Sequence, residues 1–397
     1  MITMRGETMR YVTYAIVALL ALVMMPATAF GQQAYEIGVS GALTGPAAST
    51  IAPAIQGLRL YVNRLNKEGG VHGHPIHLII RDDGGQASNA AANAKQLLSD
   101  DHVALLINAS LSSTYAPMMK MADRTRTPLL FAANAVCPSQ AFPPAQRFVF
   151  CSSGISTKYD GRAAIAFIHD HASGPVRLGL VAMAIPVSRG GINHAAGAAT
   201  KMGMKIVQKE AIPPTTASYT SFATNIQDGK ANWAYSWAPW VTEVKTFEAL
   251  RQLGWNGSYA AVEQPVAENE LKHLKDSKFY IVSSDSLFSE KLPIQKKMMR
   301  VATSANAKYP ADEMTEGWIA GMVLKATLAK AGWPATRQKV LASMDTLKVA
   351  MHGLRGGPIL WTKRNHFRTR QYYRVYHWNP SSGSIVRAQD WKAFVVK

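Results

Sequence analysis

Cysteine is almost missing from this 397-residue chain, which has only Cys137 and Cys151. Acidic residues are scarce too, 25 Asp and Glu against 43 Lys and Arg, for a formal net charge of +18. Such an excess raises the question of an anionic partner. The basic residues are scattered, however, and no nucleic-acid-binding module is present, so no nucleic acid partner is expected. The densest basic group, residues 363–374, reads as a solvated turn and edge strand. Beyond residue 31 there is no apolar run of about 18 residues, which excludes a membrane span there. No repeat of 20 to 50 residues appears, excluding a solenoid. A P-loop, a GxSxG elbow and HExxH are all lacking, and no Ser/His/Asp grouping stands out, so no enzyme activity is expected.

What is present begins with an export signal. Arg5 and Arg10 make a basic start, residues 11–25 an apolar stretch, and Ala27-Thr28-Ala29 or Ala29-Phe30-Gly31 a small-residue cleavage pattern. No Cys lies near that pattern to carry a lipid. The remaining chain is expected to be free in an extracytoplasmic space, the periplasm in a Gram-negative cell, and keeps a charge of +17 once Arg5, Arg10 and Glu7 are removed. Export makes a Cys137–Cys151 disulfide the natural expectation. It would close a loop of about 15 residues, worth about 3 kcal/mol. A metal or redox pair has the wrong spacing. His72, His74 and His77 cluster beside a turn without an acidic or Cys partner at ligand spacing, so no metal is expected.

With 48% apolar residues the chain is globular, and its length suits two domains. From Tyr35 onward, β-rich runs alternate with helical periodicity, the pattern of parallel sheets covered by helices. Strands are expected at 36–39, 76–81, 103–108 and 129–132. A second series follows at 178–183, 206–209, 233–236, 259–262 and 279–282. The last third offers helices at 316–330 and 336–347 and β-like runs at 372–378 and 385–387. These complete the two units, so the chain should cross between them three times, near 151–155, 282–286 and 361–366.

Open parallel sheets bind ligands at the carboxyl ends of their strands. After the third strand, Ser110 to Tyr115 form a hydroxyl-rich entry to a helix, able to hold a carboxylate or simply to cap the helix. Ala133 and Asn134 follow the fourth strand. In the second unit Trp237 and Trp240 bracket a strand end, as a ligand wall or as core. Glu263 follows another strand, as partner of a ligand ammonium or as a solvated loop residue.

These stretches resemble a known family. Ile37-Gly38-Val39 with Leu43-Thr44-Gly45-Pro46, residues 63–70 with Gly73-His74-Pro75-Ile76, Arg81-Asp82-Asp83, Ser112-Ser113-Thr114 and Gly356-Gly357-Pro358-Ile359 are similar to the branched-chain amino acid type of periplasmic solute-binding proteins. The resemblance implies an α/β fold of the type I periplasmic binding class, with two Rossmann-like lobes of parallel sheet joined by a three-crossover hinge. The lobes would comprise 35–152 plus 285–362, and 153–284 plus 363–397. It further implies a monomer without cofactor that binds a small carboxylate-bearing solute, an amino acid or aromatic acid, and serves an ABC permease. A ligand-sensing subunit for a membrane receptor, or a secreted hydrolase, are the alternatives. By the same resemblance Ser112, Ser113, Ala133 and Asn134 hold the carboxylate and Glu263 the ammonium, with Trp237, Trp240 and Tyr115 as lining and Ser188 in a loop that departs from the family pattern. The Trp-rich loop and Arg189 admit an aromatic acid as readily as an aliphatic amino acid.

Overall fold

The computed structural model describes residues 33–397, so the expected export signal lies outside the described residues. The inner strands of the first sheet are apolar on both faces, as strands covered on both sides must be. Leu105 to Ala109 are all buried. Strands β1 (Tyr35–Gly41), β2 (Ile76–Asp82), β3 (Leu105–Ala109), β4 (Leu129–Phe131) and β5 (Val149–Cys151) form one sheet in the order β2-β1-β3-β4-β5. Every pairing in it is parallel. Helices α1 (Ala48–Lys67), α2 (Ala87–Ser99) and α3 (Tyr115–Thr125) connect the strands. Along α1, Ile51, Ile55, Leu58, Val62 and Leu65 recur at helical spacing and are buried.

The second sheet has seven strands, β6 (Arg177–Met183), β7 (Lys205–Ile212), β8 (Trp233–Trp237), β9 (Ser258–Val262), β10 (Phe279–Ser283), β13 (Arg370–Asn379) and β14 (Ser384–Val395), ordered β14-β13-β10-β9-β8-β6-β7. The short β11 (Lys348–Val349) and β12 (Ile359–Leu360) pair only with each other. Around the second sheet lie α4 (Thr157–His171), α5 (Pro186–Lys201), α6 (Thr220–Asp228), α7 (Trp240–Gln252) and α8 (Ala267–Leu274). The sheet is not wholly parallel, because β13 runs antiparallel to both β10 and β14.

Helices α9 (Pro293–Ser304), α10 (Thr315–Ala331) and α11 (Arg337–Met344) return to the first sheet, sharing a core with Ile37, Leu58 and Ile107. Helix α10 is apolar nearly all round because it is buried. It crosses α1 in direct backbone contact: a Cβ at Gly317 would lie 1.6 Å from the Ala54 carbonyl oxygen. The chain thus passes between the sheets after β5, after β10 and before β13, the three expected crossings.

Residues 363–374 correct the expectation of a solvated edge. The outer strand is β14, and β13 lies inside it. Arg374 is buried, bonded to Glu290 (2.5 Å) and Asp390 (2.6 Å) with its guanidinium 4.3 Å from the Trp391 ring centre. Arg368 is buried as well and donates to the Ser153 carbonyl at 2.8 Å. The three clustered histidines disperse: His72 meets the Ala329 carbonyl, His74 stacks on Trp333, and His77 pairs with Glu36.

Cys137 and Cys151 are joined in a disulfide beside the first crossing. Replacing both by serine is expected to lower the unfolding free energy by about 3 kcal/mol, from the added freedom of the unfolded loop. Urea titration of the double variant checks this value.

Candidate functional site

The carboxyl ends of the first sheet are stitched together by two aspartates. Asp82 accepts from the Leu43 and Thr44 amides (3.0 and 3.3 Å), the Thr44 hydroxyl and the Gly84 amide. Asp83 is buried and accepts from the Ser40 and Ser110 hydroxyls (2.7 and 2.6 Å) and the Gly85 amide. The loops after β1, β2 and β3 therefore form one rigid rim. Gly45, Gly84 and Gly85 hold the positive φ angles that these turns need. On the rim, Ser112 and Ser113 open a one-turn helix leading into α3; both are exposed, and Ser113 donates to the Gly85 carbonyl at 2.8 Å.

Among the large apolar side chains left exposed, Leu43, Leu111, Trp240 and Val241 all stand at strand ends of the two sheets. They give the rims an apolar surface.

Deeper in, between the rims and the crossings, lies a cavity lined by Asn134 from the first sheet, Glu263 and Glu268 beyond β9, Asp285 and Phe288 at the second crossing, and Asp312, Thr315 and Glu316 at the start of α10. About 40 Å³ of it is open to the centre of a water molecule, room for about three waters. Five carboxylates face it, and its lining includes no Lys, Arg or His.

Behind the cavity, buried Arg355 holds part of this charge. It donates to Asp285 (2.5 Å), to Glu316 and to the Ser152 carbonyl (2.5 Å), so one guanidinium ties the first crossing, the second crossing and α10. Glu316 also accepts from the Gly154 amide at 2.9 Å, while its second oxygen accepts nothing although buried. Glu263 accepts from the amides of Ser284 (2.9 Å) and Asp285 (3.2 Å). Burial, then Asp285, push the Glu263 carboxyl up to about 8 from its ordinary 4.5. Burial likewise lifts Glu316 to about 7, with Arg355 opposing and Asp285 adding. Asp312 is raised by burial and by Glu268.

Of the residues expected from sequence, the structure brings Asn134 and Glu263 to one cavity. Ala133 is buried next to Asn134, whose amide donates to the Thr50 carbonyl at 2.8 Å. Ser112, Ser113 and Trp240 lie on the rims, outside it. Three others are framework. Tyr115 is buried against Phe131 and donates to the Val136 carbonyl at 2.7 Å. Trp237 is buried and donates its indole N–H to Asp160 at 3.0 Å. Ser188 is buried, accepting from the Met183 amide and donating to the Trp237 carbonyl. Core contacts satisfy their polar atoms, and none of the three lines the cavity. Sequence reasoning missed Asp285, Asp312, Glu316 and Arg355. Only Asp285, just beyond β10, carried a usable signal, its position at a strand end.

A model of the periplasmic binding protein family matches residues 34–384. The chain belongs to the periplasmic binding protein family. No curated protein matches it. Among solved structures, this periplasmic binding protein is similar to a branched-chain amino acid ABC transporter protein from Thermus thermophilus with bound valine (TM-score 0.78, 16% identity, 92% of this chain and 97% of that one). A solute-binding protein of an ABC transporter from Rhodopseudomonas palustris, in complex with 3,4-dihydroxybenzoic acid, gives 0.76 at 15% identity, covering 92% and 98%. A branched-chain amino acid transporter substrate-binding protein from Streptococcus pneumoniae with isoleucine gives 0.73 at 15%, covering 92% and 100%. At such identities the likeness is one of fold: the two-lobed type I periplasmic binding fold.

Proposed function

We propose that this periplasmic binding protein is the solute-binding component of an ABC uptake system, carrying a small amino acid from the extracytoplasmic space to a membrane permease as a monomer without cofactor. The observation that carries the reading is the cavity wall: five carboxylates and no basic side chain, in a chain whose overall charge is +18. A desolvated acid such as Glu263 is stabilised by a ligand ammonium at hydrogen-bonding distance. The solute's own carboxylate would meet the Ser112–Ser113 turn, the Ala133 backbone and Asn134 on the other side of the cleft. Leu43, Leu111 and Trp240 would cover its side chain. The lobes in this scheme are 35–152 plus 285–362 and 153–284 plus 363–397, which turn about the three crossings.

An aromatic acid lacking an amine would bring its anionic charge to a wall that already repels it. Titration calorimetry on protein stripped of carried-over solute separates the two classes. Amino acids are expected to bind, and benzoate and 3,4-dihydroxybenzoate to bind at least tenfold more weakly. Tight binding of the aromatic acids, or of no amine-bearing solute, would sink the proposal.

A further inference from the structure

The charges around the cavity do not balance. Of its five carboxylates, Asp285 and Glu316 share Arg355, and Glu268 is bridged by Lys272 at 3.2 Å. Glu263 and Asp312 make no ion pair among the described residues. Arg368 stands behind Glu316 and Asp285, but its own bonds go to the Ser152 and Ser153 carbonyls. With Arg355, Lys272 and Arg368 counted and every acid ionised, three cations offset five acids, a deficit of two that the free protein relieves at neutral pH by keeping a proton on Glu263. Glu316 adds a second sign, because it lines the cavity and one of its oxygens is buried without a hydrogen bond. Glu263, Asp312 and Glu316 thus line one small space, and one oxygen of Glu316 has no partner. An ammonium group is about as large as a water molecule, so the cavity accommodates two such heads while the rest of a ligand reaches towards the rims.

Resting on the reading of this cavity as the ligand site, we infer that the preferred solute carries two amines, one meeting Glu263 and the other meeting Asp312 and the free oxygen of Glu316. A single amine would leave one acid unpaired in a desolvated site, which costs more than leaving it in water. Two amines complete the pairing. A dibasic amino acid and a simple diamine share this chemistry and differ only in the carboxylate that the Ser112 turn would hold.

Three probes separate the possibilities: L-lysine, L-norleucine, which lacks only the terminal amine, and 1,5-diaminopentane, which lacks only the carboxylate. Calorimetric titration of the stripped protein at pH 8 is expected to show lysine binding at least tenfold more tightly than norleucine. Asp312→Asn, verified as folded by its melting curve, should weaken lysine about tenfold more than it weakens norleucine. Diaminopentane matching lysine would support the inference and name a diamine as the solute; diaminopentane far weaker than lysine would support it and name the amino acid. Norleucine binding as well as lysine overturns the second amine and leaves the proposed function standing. Failure of all three probes to bind overturns both.

Discussion

Replacing Arg355 by methionine is expected to lower the unfolding free energy by about 3–5 kcal/mol at pH 7, the cost of leaving buried acids without their cation. Methionine keeps the length of the apolar stem, so the loss reports charge and hydrogen bonds rather than a cavity. The side chain makes bonds to Asp285, Glu316 and the Ser152 carbonyl, all with buried partners. Burial would lower its pKa, yet Asp285 and Glu316 hold the guanidinium charge above its ordinary range. Without it, Glu316 is pushed further up, so the variant should suffer most at pH 8 and least near pH 5, where Glu316 takes a proton. Urea denaturation at the two pH values measures the difference. Arg355→Lys is expected to recover only part of the loss, because a single ammonium cannot serve three acceptors set around a planar fork. An unchanged midpoint in Arg355→Met would mean that the cluster contributes nothing to holding the crossings.

Affinity for an amine is expected to rise about ninefold from pH 6 to pH 7 and about fivefold from pH 7 to pH 8, roughly fiftyfold over the range. The sign follows from Glu263, which burial, then Asp285 and Glu316, lift to about 8. Below that value the free protein holds a proton there. An ammonium needs the carboxylate form, so binding at pH 7 must expel the proton, and expulsion becomes easier as pH rises. Arg355 opposes the shift from behind, and its charge does not change in this range. Calorimetry in buffers of different ionisation enthalpy should register about one proton released per ligand at pH 7. Glu263→Gln should flatten the profile and weaken an amino acid by about 1–3 kcal/mol at pH 8. Stability runs the other way. A carboxyl whose folded pKa lies above its unfolded 4.5 favours the folded state below pH 4.5, and that contribution is lost as pH rises through 8. Glu263→Gln should therefore make the ligand-free protein more stable at pH 8 while it binds worse.

Periodicity and turn chemistry made most of this molecule legible. The parallel strands and the connecting helices follow from runs whose partners mostly lie nearby in sequence, and the three crossings from a last third better used to complete the two units than to make another. Glu263 was legible for another reason, since a carboxylate immediately after an apolar strand stands where such sheets bind ligands. Asp285 obeys the same rule after β10. Trp237 shows how the rule misleads: it continues the alternation of Trp233 and Tyr235, so it points into the same buried face, whereas Trp240 lies beyond the strand and is exposed. Arg355, Arg368 and Arg374 were not legible as buried groups. Their carbonyl and carboxylate partners mostly come from remote stretches, residues 152, 285 and 316 for Arg355, and no local pattern announces a pairing made across the fold. Asp160, buried with the Tyr373 hydroxyl at 2.6 Å and the Trp237 indole, was hidden likewise.

The return of α10 to the first sheet has a bearing on how the chain is made. All five strands of that sheet are complete by Cys151, but the helix whose Gly317 seats against Ala54 starts only at Thr315. A polypeptide that emerges from its amino end must keep the outer face of α1 uncovered while the whole second sheet emerges up to β10. An early half-formed intermediate with sticky apolar surface is thereby built into the order of synthesis, and residues 35–151 produced alone should aggregate rather than fold.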